Sequence, residues 1–165
     1  MQDLTKGLMT VIFVWSSLGT ASADTLDCSS TKVSKEFLEH HAIKPGDVAD
    51  REMAQFIRVD ILSSDNPEFD GIEETVYEHD DNVGGTGTHR GYAKLALKSG
   101  ATLWVKYEGT HHIVVENDKW RFPYMGRFRF IAGTGKYKTI HGGGWYEGQV
   151  TADGLTQKTV CSAEY

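Results

Sequence analysis

Beyond about residue 54 the chain is a series of short runs in which apolar and polar residues alternate, each closed by Gly, Asn, Asp or Pro. A period of two marks a strand with one buried face, and such strands are stable only in a sheet whose face is covered. Phe56–Ser63 sets Ile57, Val59 and Ile61 against Arg58 and Asp60. Ile72–His79 puts Ile72, Glu74, Val76 and Glu78 on one side, and the Asp-, Asn- and Gly-rich stretch Asp80–Thr88 reads as a loop. His89–Lys98 turns Gly91, Ala93, Leu95 and Leu97 one way. Leu103–Glu108 and His111–Glu116 are separated by Gly109-Thr110, a candidate bulge. Arg127–Ala132 alternates Phe128 and Phe130 inward with Arg127 and Arg129 outward. Ile140–Thr151 and Thr156–Cys161 flank the turn Ala152-Asp153-Gly154. A domain of about eight such strands is all-β and favours an eight-stranded antiparallel β-barrel, because closure removes the exposed sheet edges. The interior of such a barrel has room for side chains or one small ligand.

One segment departs from this rhythm. In residues 29–44, Ser29 or Ser30 can cap a helix, and Val33, Phe37 and His41 recur at intervals of four. Lys44-Pro45-Gly46-Asp47 would end it. The expectation is a short N-terminal helix before the barrel.

The first 23 residues read as a cleavable signal peptide. Lys6 precedes an apolar run from Leu8 to Leu18, and Ala21-Ser22-Ala23 supplies the small residues a signal peptidase requires. The run is shorter than the roughly 20 residues that span a bilayer. The competing reading is a buried N-terminal helix. No later stretch is long and apolar enough to anchor the chain in a membrane. Residues 24–165 then form one domain in a secreted or periplasmic protein. Two cysteines, Cys28 and Cys161, lie near opposite ends of that domain. In an oxidising compartment the simplest reading is a disulfide, worth on the order of 4 kcal/mol for so long a loop. Two buried thiols or a pair of metal ligands are the alternatives. The net charge of −6 argues against nucleic acid as a partner.

The most specific stretch is Phe130-Ile131-Ala132-Gly133-Thr134-Gly135-Lys136-Tyr137, followed by the glycine-spaced run His141-Gly142-Gly143-Gly144-Trp145-Tyr146-Glu147-Gly148. It is not a phosphate loop: the P-loop spacing is missing, and a strand follows where a helix N-terminus would be needed. This pattern, with Glu108-Gly109-Thr110 before it, resembles the allene oxide cyclase barrel and dirigent-like proteins over roughly residues 85–160. The resemblance implies an eight-stranded barrel, often a homotrimer, with a ligand cavity in its mouth. It also implies small hydrophobic or aromatic ligands, chemistry such as cyclisation, isomerisation, guided radical coupling or tautomerising demethylation, and no metal or bound cofactor.

Several residues can carry chemistry in such a cavity. His111 and His112 are adjacent on a strand and so face opposite ways; the more apolar company of His111 points it inward, as catalyst or as a satisfied structural histidine. Glu74 and Glu78 share a face; buried, their raised pKa values would suit acid–base work. The alternative turns Glu73, Thr75, Tyr77 and His79 inward and leaves the glutamates in water. Tyr146 lies on the glycine face of its strand, where a hydroxyl has space. Trp104, Tyr107, Tyr124, Phe128 and Phe130 supply walls for a flat apolar ligand, or simply barrel core. The seven histidines are scattered, with no H-x-H pair or HExxH helix, so no metal site is assigned. The leading expectation is a cofactor-independent isomerase, cyclase or lyase acting on a small hydrophobic or aromatic molecule. The alternative is a non-catalytic, dirigent-like or lipocalin-like carrier. Ionisable groups in mutual reach inside the barrel favour the enzyme; an apolar interior favours the carrier.

Overall fold

The computed structural model describes residues 23–165. Apart from Ala23, the signal peptide read from residues 1–23 lies outside them. The described chain is built of ten strands: β1 (Thr25–Asp27), β2 (Ser30–Ile43), β3 (Arg51–Ser63), β4 (Glu73–Val83), β5 (Thr86–Ala96), β6 (Thr102–His111), β7 (Val114–Glu116), β8 (Lys119–Gly133), β9 (His141–Thr151) and β10 (Gly154–Glu164). Eight of them close an antiparallel barrel in the order β2-β3-β4-β5-β6-β8-β9-β10, with β10 returning to β2. The short strand β7 pairs only with β8, and β1 pairs with the far end of β10.

The expected helix over residues 29–44 is absent: that segment is β2, paired with β3 from Thr31 to Ile43. Its ladder slips twice, between Ser34 and Glu36 and between Phe37 and Glu39. Each slip inserts a residue and changes which side chains face inward. Ser30 and Lys32 therefore line the interior, and beyond the first slip Phe37 does so. Val33 and His41 pair with Ile61 and Gln55 on the outer face while Phe37 pairs with the inward Arg58, so the three residues spaced by four do not share one face. Bulges in a strand had imitated a helical period. The expected loop Asp80–Thr88 is also mostly strand. β4 and β5 stay paired to Val83 and Thr86, and Gly84-Gly85 turns between them with φ of 57° and 78°. A two-residue turn of this hand needs positive φ at both positions, which glycine adopts without strain.

The barrel has a closed end and an open one. Leu103, Phe69 and Tyr137 are almost wholly buried at the closed end. Tyr137 ends a single 3-10 turn, Gly135–Tyr137, inside the glycine-threonine-glycine motif. Thr134 anchors that turn twice to Thr102: its N–H donates to the Thr102 carbonyl at 2.9 Å, and its hydroxyl oxygen accepts from the Thr102 N–H at 2.8 Å. The motif thus seals one end of the barrel. At the other end Phe37 and Trp120 line the interior while remaining 58% and 43% exposed, which marks the opening.

Cys28 and Cys161 form a disulfide, with Cα atoms 5.0 Å apart. The pairs Asp27↔Ser162 and Ser30↔Thr159 bracket them, so β1 and β2 run past β10 in one register with the two cysteines face to face. The bridge closes a sequence separation of 133 residues. Replacing both cysteines by alanine is expected to lower stability by about 2–4 kcal/mol. Urea denaturation measures this as a lower midpoint, and an unchanged midpoint would remove the bridge from the stability of the fold.

Candidate functional site

Between the sealed end and the opening lies a cavity of about 370 Å³. Its two sides differ in chemistry. β2, β3 and β4 present Lys32, Arg58, Glu74, Glu78 and Asp80, whereas β6, β8 and β9 present Tyr107, Tyr124, Phe128, Phe130 and Tyr146. His89 of β5 and His111 of β6 line it as well.

The charged side is one connected chain. In the β3–β4 ladder Asp60 stands directly opposite Glu74. Like charges so placed repel. Lys32, reaching in from β2, relieves this with Nζ 2.6 Å from Glu74 and 3.2 Å from Asp60. Asp60 also meets Arg58, 3.2 Å from its Nε, and Arg58 Nη1 reaches Glu78 at 3.1 Å. The Tyr107 hydroxyl completes the chain by donating to Glu78 at 2.8 Å. Burial alone would push the Lys32 pKa down, but the two carboxylates hold it above the usual value. Such a chain persists inside a protein only because each charge meets an opposite one; removing a member leaves a buried charge alone.

Glu78 and Asp80 project from the same face of β4, two residues apart, yet ionise differently. Burial would raise Glu78, but Arg58 and the Tyr107 hydroxyl hold it below the usual carboxylate range. Burial, reinforced by the negative charge of Glu78, pushes Asp80 up to about 8. The Asp80 Oδ1 atom is buried with no hydrogen-bond partner among the described residues. Asp80 pairs across the ladder with His89. Burial lowers the His89 pKa to about 4, so its ring is neutral at physiological pH. His89 Nε2 and the Tyr146 hydroxyl share a hydrogen bond of 2.7 Å, and the His111 ring stacks 5.8 Å from that of His89.

Four ladder pairs fix the rings. Tyr107 lies opposite Gly91, His89 opposite Gly109, Tyr146 opposite Gly126 and Tyr124 opposite Gly148. In each pair a Cβ on the glycine would run into the opposing ring and into a backbone carbonyl of the strand on its other side. Glycine therefore lets each ring fold flat across the neighbouring strand, an arrangement that also shields the bare backbone. The rings then meet: His89 lies 5.8 Å from Tyr146, 5.9 Å from Tyr124 and 6.3 Å from Tyr107, centroid to centroid.

Of the residues singled out from sequence, Glu74, Glu78, His111, Tyr107, Tyr124, Phe128, Phe130 and Tyr146 all line this cavity. Trp104 does not. Its neighbours Leu103 and Val105 point inward, so alternation turns Trp104 to the outer face, where the Lys94 ammonium lies 5.8 Å from its ring. Sequence reasoning missed Lys32, Arg58, Asp60, Asp80 and His89. His89 shares its parity with Gly91, Ala93, Leu95 and Leu97, and that signal was available. Arg58 and Asp60 share theirs with Phe56 and Leu62, which the competing set Ile57, Val59 and Ile61 obscured. Lys32 fell in the expected helix and Asp80 in the expected loop. Among the described residues no group of three or more His, Cys, Asp or Glu side chains is arranged to hold a metal ion.

A Cβ at Gly126 would press on the Tyr146 ring, pushing it off His89, and on the backbone carbonyl of Glu108 in β6. Gly126→Ala is expected to cost about 1–3 kcal/mol, the usual penalty for overpacking a well-filled interior. Thermal unfolding checks it; an unaltered midpoint would show that both the ring and the β6 backbone give way without cost.

No family model and no curated protein matches the chain. Among solved structures it is similar to a protein of unknown function from Clostridium acetobutylicum, with 14% identity and a TM-score of 0.47, covering 87% of this chain and 100% of that one. It is also similar to a conserved protein of unknown function from Rhodopseudomonas palustris, with 10% identity and a TM-score of 0.44, covering 88% of this chain and 100% of that one.

Proposed function

We propose that the chain is an exported, cofactor-independent barrel enzyme that moves a proton within a small hydrophobic or aromatic molecule, in an isomerisation, a cyclisation or a lyase-type demethylation. The supporting observation is the split ionisation of Glu78 and Asp80 on one face of β4. Neighbouring titratable groups whose environments drive their pKa values apart mark out an acid and its electrostatic partner. Asp80 is the acid: protonated at neutral pH, with a buried oxygen free of protein partners. Glu78 is held by Arg58 and Tyr107, and its charge keeps the Asp80 proton in place. The neutral His89, bonded to the Tyr146 hydroxyl, accepts the proton that leaves the substrate. Asp80 delivers one to the new position, and exchange with solvent through the open end removes the proton from His89 and restores that of Asp80. With the His89 Nε2–H donating to its oxygen, the Tyr146 hydroxyl keeps its own proton to stabilise charge developing on a substrate heteroatom, whereas the Tyr124 hydroxyl donates to the Thr156 carbonyl. The Cys28–Cys161 bridge and the leader-like sequence before Ala23 support a secreted or periplasmic setting.

A second reading is a carrier of the dirigent-like or lipocalin-like kind. It is favoured by the internal satisfaction of the chain from Glu74 to Tyr107, which needs no ligand to balance its hydrogen bonds.

Incubating the mature protein with small aromatics and oxylipins in deuterated water separates the two. Proton transfer is expected to leave deuterium in the ligand, whereas binding with neither turnover nor exchange across the set identifies a carrier. For a substrate that turns over, kcat/KM is expected to hold between the two titrations, falling below about 4 as His89 gains a proton and above about 8 as Asp80 loses one. Asp80→Asn is expected to cut the rate about 10²–10⁴-fold, the range for losing a general acid.

The same substitution has a stability signature. The folded chain holds the Asp80 proton more tightly than the unfolded chain does. Its stabilising effect is therefore complete below the ordinary carboxyl value and declines as pH rises through about 8. Melting midpoints of Asp80→Asn are expected to fall less than those of the parent between pH values on either side of that titration. Parallel curves would show that Asp80 is ionised in the fold.

A further inference from the structure

Charge inside the barrel does not balance. Three carboxylates, Asp60, Glu74 and Glu78, are paired with only two cations, Lys32 and Arg58. Each cation touches two carboxylates, so neither has spare capacity. Among the described residues no other lysine or arginine lines the cavity, and Glu52 adds a further carboxylate towards the opening. A cavity with low-dielectric walls and charge of one sign concentrates the field of that sign and repels anions.

The opposite wall suits a positive charge. Tyr124, Phe128 and Phe130 turn towards the interior, and Phe56, Trp120 and Phe122 line it towards the opening. The face of an aromatic ring is its negative part, and several rings around one space form a site for an organic ammonium group. The unpartnered Asp80 Oδ1 is an acceptor within the same space. A neutral ligand would leave the surplus carboxylate charge unbalanced, and an anion would add to it. At about 370 Å³ the cavity admits a molecule of modest size.

We propose that the cavity takes a monocationic organic molecule, an amine or quaternary ammonium group on an apolar or aromatic body, whose charge balances the surplus carboxylate inside the barrel. This narrows the ligand class of the site proposed above and rests on that cavity being a ligand site, but not on its being catalytic.

Isothermal titration calorimetry with three matched probes tests it: benzyltrimethylammonium, its neutral carbon isostere neopentylbenzene, and phenylacetate. The cation is expected to bind about tenfold or more tighter than the isostere, the size of one desolvated cation–π contact. Its affinity should weaken as salt is raised, while phenylacetate should not bind. Glu52→Gln, at the partly exposed opening, is expected to weaken the cation severalfold and leave the isostere unchanged, with melting temperature showing that the variant is folded. Equal or tighter binding of the isostere, a preference for phenylacetate, or no binding of any probe by folded protein overturns the inference. The enzyme reading fails separately. Calorimetry reports charge preference with or without turnover, and efficient turnover of a neutral molecule would overturn the inference while upholding the enzyme.

Discussion

The interior of this barrel is organised by one contact, the Lys32 ammonium between Asp60 and Glu74. The β3–β4 register sets those two carboxylates face to face, and no shift of side chains within that hairpin can separate their charges. The remedy comes from a third strand. β2 meets β10 through only four ladder pairs, from Ser30 to Val33, and Lys32 lies within that seam. Lys32 stands opposite Leu62 in the β2–β3 ladder, so the pairing that adds β2 to the hairpin also supplies the cation, and the same stretch of β2 then joins β10 to close the barrel. An alternative closure that excluded β2 would leave two buried carboxylates opposed, a penalty of several kcal/mol.

The consequences spread along the wall. Because Asp60 is shared between Lys32 and Arg58, Arg58 is turned towards Glu78 and fixes it as an anion. That anion acts on Asp80, the next inward residue of β4, and keeps it in its acid form. A neutral acid and a neutral imidazole thus face each other across the β4–β5 ladder, although both residue types are often charged near neutral pH. The chemistry proposed for the cavity depends less on any single residue than on this sequence of electrostatic steps from β2 to β5.

The sequence carried the architecture better than the polarity of the interior. Alternation located most strands, and the turn residues Ala152-Asp153-Gly154 fall where β9 meets β10. Phe128, Phe130, Tyr107 and Tyr146 were legible because apolar or glycine neighbours two residues away marked their face. β2 was not, because two bulges erased its period. The charged wall was hidden by a more general bias. A period of two reveals that a strand has two faces but not which is inner, and polarity usually decides. In β3 the inner face holds Arg58 and Asp60 while Ile57 and Ile61 lie on the outer face. Partners supplied by other strands make that inversion tolerable, and a single strand's sequence does not display them.

The pairing of rings with glycines has a thermodynamic side. A tyrosine or histidine pressed flat on a glycine of the next strand, with at least two other rings against it, has little rotational freedom left to lose. That ordering took place when the chain folded. A guest entering the cavity meets a surface already in its bound shape, and the conformational entropy ordinarily lost by a binding site has been lost beforehand. For the ligand proposed above, the glycines, which contribute no atoms of their own to recognition, would thereby lower the cost of holding even a small guest with few contacts.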